Sequence, residues 1–317
     1  GKDGATAYMA DVVVDATGDG DVAASAACEY QMGGARGELQ PVTMLLRLGQ
    51  VDIDVFRDYL EQHPEECSVH AGFGSEIPYE TIRSKDRFIF IGLPALLKRA
   101  EIEEGYLNAV DRISFVTNPV PGTITVNCTR VGDVRATRTE DLSRAELEGR
   151  QQAMRLARFL TKYVPGMQDA LVLATGHQIG VRESRRIHGL VTLTEQDAIN
   201  CIRSEEGVAR GAYAVDIHDT HGSGIAFQPI DTHFDIPYGC LIPEGVDGLI
   251  VSGRAVSVDR VAFGASRVMG TCMAVGQAAG VAASMAIDSG TQPASLPATE
   301  VVRALVERGM LLEYAAR

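Results

Sequence analysis

The sequence predicts an α/β protein. An incomplete Rossmann-like, nucleotide-type domain is formed from both chain ends, and an α+β domain is inserted between them. Three observations predict it. Short β-branched or apolar runs stand near each end, Asp11–Thr17 (DVVVDAT) and Gly248–Gly253 (GLIVSG), and read as buried parallel strands. The middle instead alternates apolar and polar residues, as half-buried strands do. The length of 317 residues suits one large or two moderate domains. On this pattern 1–48 is the first part of the nucleotide domain and 49–238 the insert. Residues 239–292 are its second part, and 293–317 a C-terminal helix.

The elements follow in chain order. Gly18–Asp21 is a turn after the first strand, leading into a small helical stretch over 22–28. Val42–Leu48 reads as a strand and Val55–Glu61 as a helix. From His63 to Arg87, mixed charge with scattered Gly and Pro predicts loop. Phe88–Ile91 is a strand and Pro94–Glu104 a helix. Ile113–Val116 and Thr123–Cys128 alternate as strands. Ser143-x-x-Glu146 has the form of a capping box and predicts a helix from there to about Val164, ended by Pro165 and Gly166. Ile187–Leu193 reads as a strand, and Thr194 as the cap of a helix over 195–203. Phe234–Leu241 is strand-like. Ser266–Ile287 is a long helix of small residues, and Pro297–Leu312 a last amphipathic helix. No internal repeat is present.

The long helix raises the question of a membrane. Val268–Ile287 carries no charge, and Gly276-x-x-x-Gly280 has the spacing of a membrane helix-dimer motif. Most of it is Ala, Gly, Ser and Thr, with no aromatic belt, so a buried helix packed close against a sheet is expected.

Composition bounds the function. Apolar residues make up 45% of the chain, enough for a packed core, which excludes disorder. The 42 acidic against 29 basic residues give a net charge of −13, which argues against broad contact with nucleic-acid phosphates. The six cysteines, at 28, 67, 128, 201, 240 and 272, include no C-x-x-C and read as reduced and buried, as in the cytoplasm. Gly1–Asp21 has no signal-peptide pattern, and the absence of an initiator Met fits a mature or excised piece.

Gly18-x-Gly20-x-x-Ala23 follows a strand and opens a helix, with Glu38 twenty residues on, which is formally a dinucleotide fingerprint. Two features oppose it. Asp19 and Asp21 would repel a pyrophosphate, and the stretch before Glu38 (GGARGEL) holds no apolar strand.

The same residues resemble something else. Val13–Asp21 (VVDATGDGD) looks like the later ATG segment of two-dinucleotide-binding flavoproteins. Gly248–Asp259 (GLIVSGRAVSVD), with Ala262–Gly280 (AFGASRVMGTCMAVGQAAG), is similar to the C-terminal FAD-binding motif of the FAD-dependent oxidoreductase family related to fumarate reductase and aspartate oxidase. Gly180–Gly189 (GVRESRRIHG) and Asp141–Arg150 (DLSRAELEGR) match that family's inserted domain. The resemblance covers nearly the whole chain. It implies FAD as cofactor and hydride transfer at a C–H bond of a small organic acid or related polar metabolite. It places Gly18, Asp19, Gly253, Arg254, Asp259, Ser266, Met269, Gly270 and Gly276 at the cofactor. The start of the long helix would offer N–H donors and a positive dipole end to a reduced flavin. Members of that family open with strand–G-x-G-x-x-G–helix and an acidic residue for the adenosine ribose. This chain begins after such a unit. The expectation is therefore a truncated piece, a chain completed by another chain or in a homo-oligomer, or a degenerate, non-catalytic subunit without FAD.

The substrate-side candidates are Arg182, Arg186, His188, His218 and Arg267. Guanidinium forks bind carboxylates, and imidazole moves a proton near neutral pH. Arg182, Arg185, Arg186 and His188 cluster in an otherwise acidic chain, and Arg260 and Arg267 border the flavin block. The alternative for all of them is a set of structural ion pairs. Asp216, His218, His221 and His233 have a composition that suits a metal-dependent hydrolase, but Gly222 and Gly224 suggest a loop, and no metal is expected. No nucleic acid and no membrane span is expected as a partner.

Overall fold

The β-branched run near the start of the chain lies beside the apolar run near its end. In the computed structural model, which describes residues 2, 4–67, 79–105, 110–219 and 224–312, the chain is a mixed α/β protein. It divides into two compact units. Unit 1 holds 1–37, 183–216 and 229–317; unit 2 holds 38–182 and 217–228. The C-terminal helix belongs to unit 1.

The first elements are β1 (Val13–Asp15), α1 (Asp21–Ser25) and β2 (Tyr30–Met32). Then come β3 (Leu46–Gly49), α2 (Ile53–Gln62), α3 (Tyr79–Ser84), β4 (Ile89–Gly92) and α4 (Pro94–Glu104). The middle holds β5 (Ile113–Thr117), β6 (Ile124–Val126), α5 (Thr139–Tyr163) and β7 (Leu171–Thr175). After it run β8 (Arg185–Ile187), α6 (Glu195–Ile199), β9 (Gly207–Gly211), β10 (Val215–His218), β11 (Ile225–Gln228) and β12 (Phe234–Pro237). The last are β13 (Leu249–Val251), α7 (Arg260–Ser266), α8 (Met269–Ser289) and α9 (Ala298–Glu307).

In unit 1, β1 pairs in parallel with β13, Val13 opposite Leu249 and Asp15 opposite Val251. β2 pairs with β8 and β9 with β12, both antiparallel. Ala23, Cys28, Ile187, Leu249, Val251 and Ala255 make a small buried cluster around the parallel pair. The long helix expected over 266–287 is α8, which starts three residues later, and Ser266 instead closes a separate helix, α7. Asp259 accepts hydrogen bonds from Val261 and Ala262 N and so starts α7, and α8 begins only at Met269. Thr271, Val275, Ala278, Ala279, Ala282 and Ala286 form the buried stripe of α8, which packs on β9, β1 and α9. By length and composition alone α8 is apolar enough to cross a membrane, and 33% of its most apolar stretch is buried.

Unit 2 is built on an antiparallel sheet in the order β4-β5-β6-β3-β7. Phe56 of α2 meets Phe90 and Phe115 edge-on, with centroids 5.0 and 5.4 Å away. Glu66, 1% exposed, lies in a 3-10 turn, Pro64–Cys67, within the stretch expected to be loop. Its carboxylate takes the N–H groups of Ala95 and Leu96 and the Tyr59 hydroxyl, so it caps α4 from a distance. Residues 68–78 of that stretch lie outside the described residues. α5 starts four residues before Ser143, at Thr139. The supposed capping box is therefore interior helix, and Glu140 and Asp141 supply the favourable charge of the first turn. α6 stops at Ile199, short of 203, because Cys201 turns to φ 53°.

Gly166, which ends α5's exit turn, has φ 82°, and a Cβ there would sit 2.3 Å from the Asp52 carbonyl oxygen. Asp52 N bonds to Gly166 O in return. Gly166→Ala should therefore destabilise unit 2 by about 2–4 kcal/mol. Urea unfolding of both proteins checks this, with a loss below about 1 kcal/mol counting against it.

Candidate functional site

The ATG segment is organised by one buried carboxylate. Asp15 is 1% exposed. Its Oδ1 accepts from the Thr17 N–H at 3.0 Å and the Thr17 hydroxyl at 2.7 Å, and its Oδ2 from Ala23 N at 2.8 Å. The Thr17 hydroxyl in turn accepts from Asp21 N. The chain thus folds back over the end of β1 into α1, with Gly18 at φ 80° and Gly20 at φ 66°. Neither Asp19 nor Asp21 faces a pyrophosphate cradle. Asp19 Oδ1 accepts from Arg254 Nη2 at 2.7 Å, and Asp21 Oδ1 from Arg185 Nη1 at 2.7 Å. A Cβ on Gly18 would meet the Arg254 guanidinium at 2.8 Å, so glycine lets that pair close.

The C-terminal block stands at the same strand ends. Gly253 follows β13 with φ 75° and nothing within 4 Å of where a Cβ would point. Arg254 begins its pairing with Asp19 there, while its buried Nε has no partner among the described residues. Asp259, placed at the cofactor by resemblance, is taken up by backbone: Oδ1 caps α7, and Oδ2 accepts from Glu195 N at 2.5 Å, the first residue of α6. Ser266, 5% exposed, closes α7. α8 opens with no side-chain cap, so its first N–H groups are not taken by a capping side chain. Met269 is 80% and Met273 73% exposed. With Gly276 and Gly280 they follow i, i+4, i+7, i+11 along one face, opposite the buried stripe. No atom lies within 4 Å of a Cβ built on Gly270 or Gly280, and on Gly276 the nearest is the Ser252 hydroxyl at 3.6 Å.

These features fit a flavin. The donors, an Arg254 nitrogen with capacity left over, and an exposed methionine–glycine face match a flat ring with an anionic edge. Among the described residues, no group of three or more His, Cys, Asp and Glu is placed to hold a metal ion.

The substrate-side candidates divide between the units. In unit 1, Arg186 is 2% exposed, and its guanidinium is saturated by Val258 O, Glu183 Oε1 and Gly33 O. Burial holds its pKa below the usual range, Glu183 opposing, and its plane lies over Phe263. It is a structural ion, buried with each of its three nitrogens already bonded. His188 is half-buried just beyond β8, its backbone bonded to Glu29 O and Glu244 N. Arg267 Nη2 donates to Asp216 O and Oδ2, both at 3.0 Å, and its buried Nε has no partner among the described residues. His233, paired with Arg203, is pushed below its usual range by burial and then by the charges of Arg203 and Arg210.

In unit 2, Arg182 donates to Pro41 O at 2.7 Å and to the Thr43 hydroxyl at 2.5 Å, tying two loops together. His218 sits on a strand of the β10–β11 hairpin, where the sequence suggested a loop. Its Nδ1 lies 3.4 Å from Arg130 Nη1. His221 lies outside the described residues. Sequence reading missed Asp15, Arg112 and Arg130. Asp15 carried a signal, an acid at a buried strand's end. The two arginines did not, because their proximity arises only from strand pairing.

A family model described as FAD dependent oxidoreductase matches residues 1–305. No curated protein and no solved structure matches the chain.

Asp15→Ala removes the acceptor of three bonds and leaves two backbone N–H groups short, so it should cost about 2–4 kcal/mol in urea unfolding. Asp21→Ala, which breaks only a half-exposed pair, should cost under about 1 kcal/mol. Equal losses would contradict the assigned role of Asp15.

Proposed function

The chain belongs to the FAD-dependent oxidoreductase family, and from that premise we propose that it transfers a hydride to or from a small organic acid or related polar metabolite. FAD is the cofactor of that family. In our reading unit 1 is its Rossmann-like holder. The observation that carries this is the exposed face of α8. Two methionines and two glycines in one line make an apolar strip beside an uncapped helix start. Glycine inside a helix costs about 1 kcal/mol relative to alanine. At Gly276 and Gly280 a Cβ would meet nothing closer than 3.6 Å, so no contact within the protein requires glycine there, which supports close approach by a bound flat ring.

When bound, FAD supplies the hydride acceptor or donor, and the chain's side chains supply position and field. Gly253, Gly270 and Gly276 admit close approach. The Met269, Gly270 and Thr271 N–H groups offer donors where negative charge collects. Arg254, fixed by Asp19, adds a cation. Ser266 and Asp259 hold α7 and α6 in place, and we assign Asp259 to that capping role. On the substrate side, Arg267 is aimed by Asp216. In unit 2, His218 has Nδ1 turned to a guanidinium donor, which leaves Nε2–H as a hydrogen-bond donor. All six cysteines are free, which supports a reducing, cytoplasmic setting.

The test is a visible spectrum after incubation with FAD and desalting. The wild-type chain should retain flavin bands that bleach with a substrate acid. Gly270→Leu adds bulk where nothing in the protein stands, so its melting temperature should stay within about 3 °C while FAD retention falls about tenfold or more. Absence of bands in the wild type, or equal retention in the variant, would overturn the assignment to α8.

A further inference from the structure

The two edges of the unit 2 sheet differ. At β4 the Pro64–Cys67 turn stands against the strand end. Leu93 N donates to Glu66 O at 2.8 Å, and a Cβ on Gly92 would lie 2.0 Å from that carbonyl oxygen. β7 forms the other edge. It pairs with β3 on one side, and among the described residues no strand lies on its other side.

The β7 edge is apolar and fixed in place. Leu171 is 53%, Val172 39% and Leu173 53% exposed, and Ala174 is exposed beside them. The run Leu171–Thr175 holds no charge and no proline, the residues by which natural edges discourage pairing. Both ends of the strand are tied. Ala170 N donates to Met167 O at its entry, Gly176 N donates to Leu45 O at its exit, and Arg150 of α5 donates to the Thr175 hydroxyl. A strand already ordered loses little further freedom when it pairs. One bulge interrupts it. Ala174 is opposite Arg47 and Val172 opposite Leu48, so Leu173 is an extra residue that adds twist and keeps any pairing short.

The flanking residues indicate what this edge meets. Two identical strands paired antiparallel are related by a two-fold axis, so the start of each lies beside the end of the other. Asp169 stands two residues before β7 and His177 two residues after it, and both are exposed. Pairing centred on Leu173 sets Leu171 opposite Thr175, and it brings Asp169 beside His177 of the second copy at both ends. A carboxylate then faces an imidazole N–H twice. Parallel pairing would instead set Asp169 beside Asp169.

We propose that two copies of this chain dimerise through antiparallel pairing of their β7 strands, which joins their five-stranded sheets into one. The pair is closed, because its remaining edges are the two β4 strands with their turns. The proposal is independent of the flavin reading.

Sedimentation velocity of the full chain, after incubation with FAD, tests it across roughly 1–500 μM protein. So short an edge predicts a weak dimer, with a dissociation constant on the order of 10 μM. Leu171→Lys should weaken the dimer about tenfold or more, with a melting temperature within about 3 °C of the wild type. Ile102→Lys on α4, which removes another exposed apolar side chain, should leave it unchanged. His177→Asp should weaken it as well, and adding Asp169→His should restore it, since the exchange again sets acid beside imidazole. If Leu171→Lys does not fold, His177→Asp and the exchange, both at exposed positions, decide. A monomer across the whole range, or mass growing beyond a dimer, would overturn the interface. So would a dimer that the folded β7 variants leave intact, or one that Ile102→Lys weakens equally.

Discussion

The parallel pairing of β1 with β13 is the constraint on which unit 1 depends. It joins segments more than two hundred residues apart in sequence. Closing so long a loop is entropically unfavourable, and only well-packed strands offset it. The residue at the end of the pair does two jobs. The Asp15 carbonyl accepts from Ser252 N, which extends the strand, while the Asp15 carboxylate folds the next eight residues back through Thr17 and Ala23. Both loops leave at the carboxyl ends of the strands, the usual place for ligands in parallel α/β sheets. The Asp19–Arg254 pair then follows from that geometry, because the loops that carry them start side by side.

Charge in this acidic chain separates by whether its bonds are filled. Asp15, Glu66 and Asp259 are consumed by backbone N–H groups, and each anchors a helix start. Glu183 and Arg186 satisfy one another in the core. Such groups hold the frame and have nothing to give a ligand. Arg112, Arg254 and Arg267 are different, since each keeps a buried N–H without an acceptor among the described residues. Native interiors seldom tolerate that. Arg186 and Arg112 show the contrast within one residue type. Only the hydrogen-bond inventory tells them apart.

That explains what was legible in the sequence. α2, α4 and β13 were, because their signals are local: an apolar spacing, a proline, a glycine-bounded run. The flavin-like blocks were too, being contiguous. β2, β7, β9, β10 and β11 were not, because each is three to five residues long and gains its stability from a partner strand. β7 shows the difficulty: an exposed LVLAT segment forms only because β3 offers an edge. Ser143 misled because capping chemistry also occurs inside helices, and the charges of Glu140 and Asp141 had already started the turn. At the site, Arg186 read as a substrate group by composition, yet the β2–β8 pairing buries it. Arg112 and Arg130 are adjacent only through the register of β5 and β6.

α8 shows how one composition serves two surfaces. Its buried stripe is alanine-rich, with Ala278, Ala279, Ala282 and Ala286 set against β9, β1 and α9. Alanine there gives close packing with full helix propensity. Its exposed face uses glycine, which gives neither. Had close packing inside the protein been the whole requirement, alanine at 276 and 280 would fit without a clash, since no atom stands closer than 3.6 Å. Together the two glycines give up about 2 kcal/mol of helix stability. Two highly exposed methionines on the same face add an unfavourable hydrophobic exposure. The two costs have a common explanation in the reading proposed above, in which this face lies against a bound flavin ring.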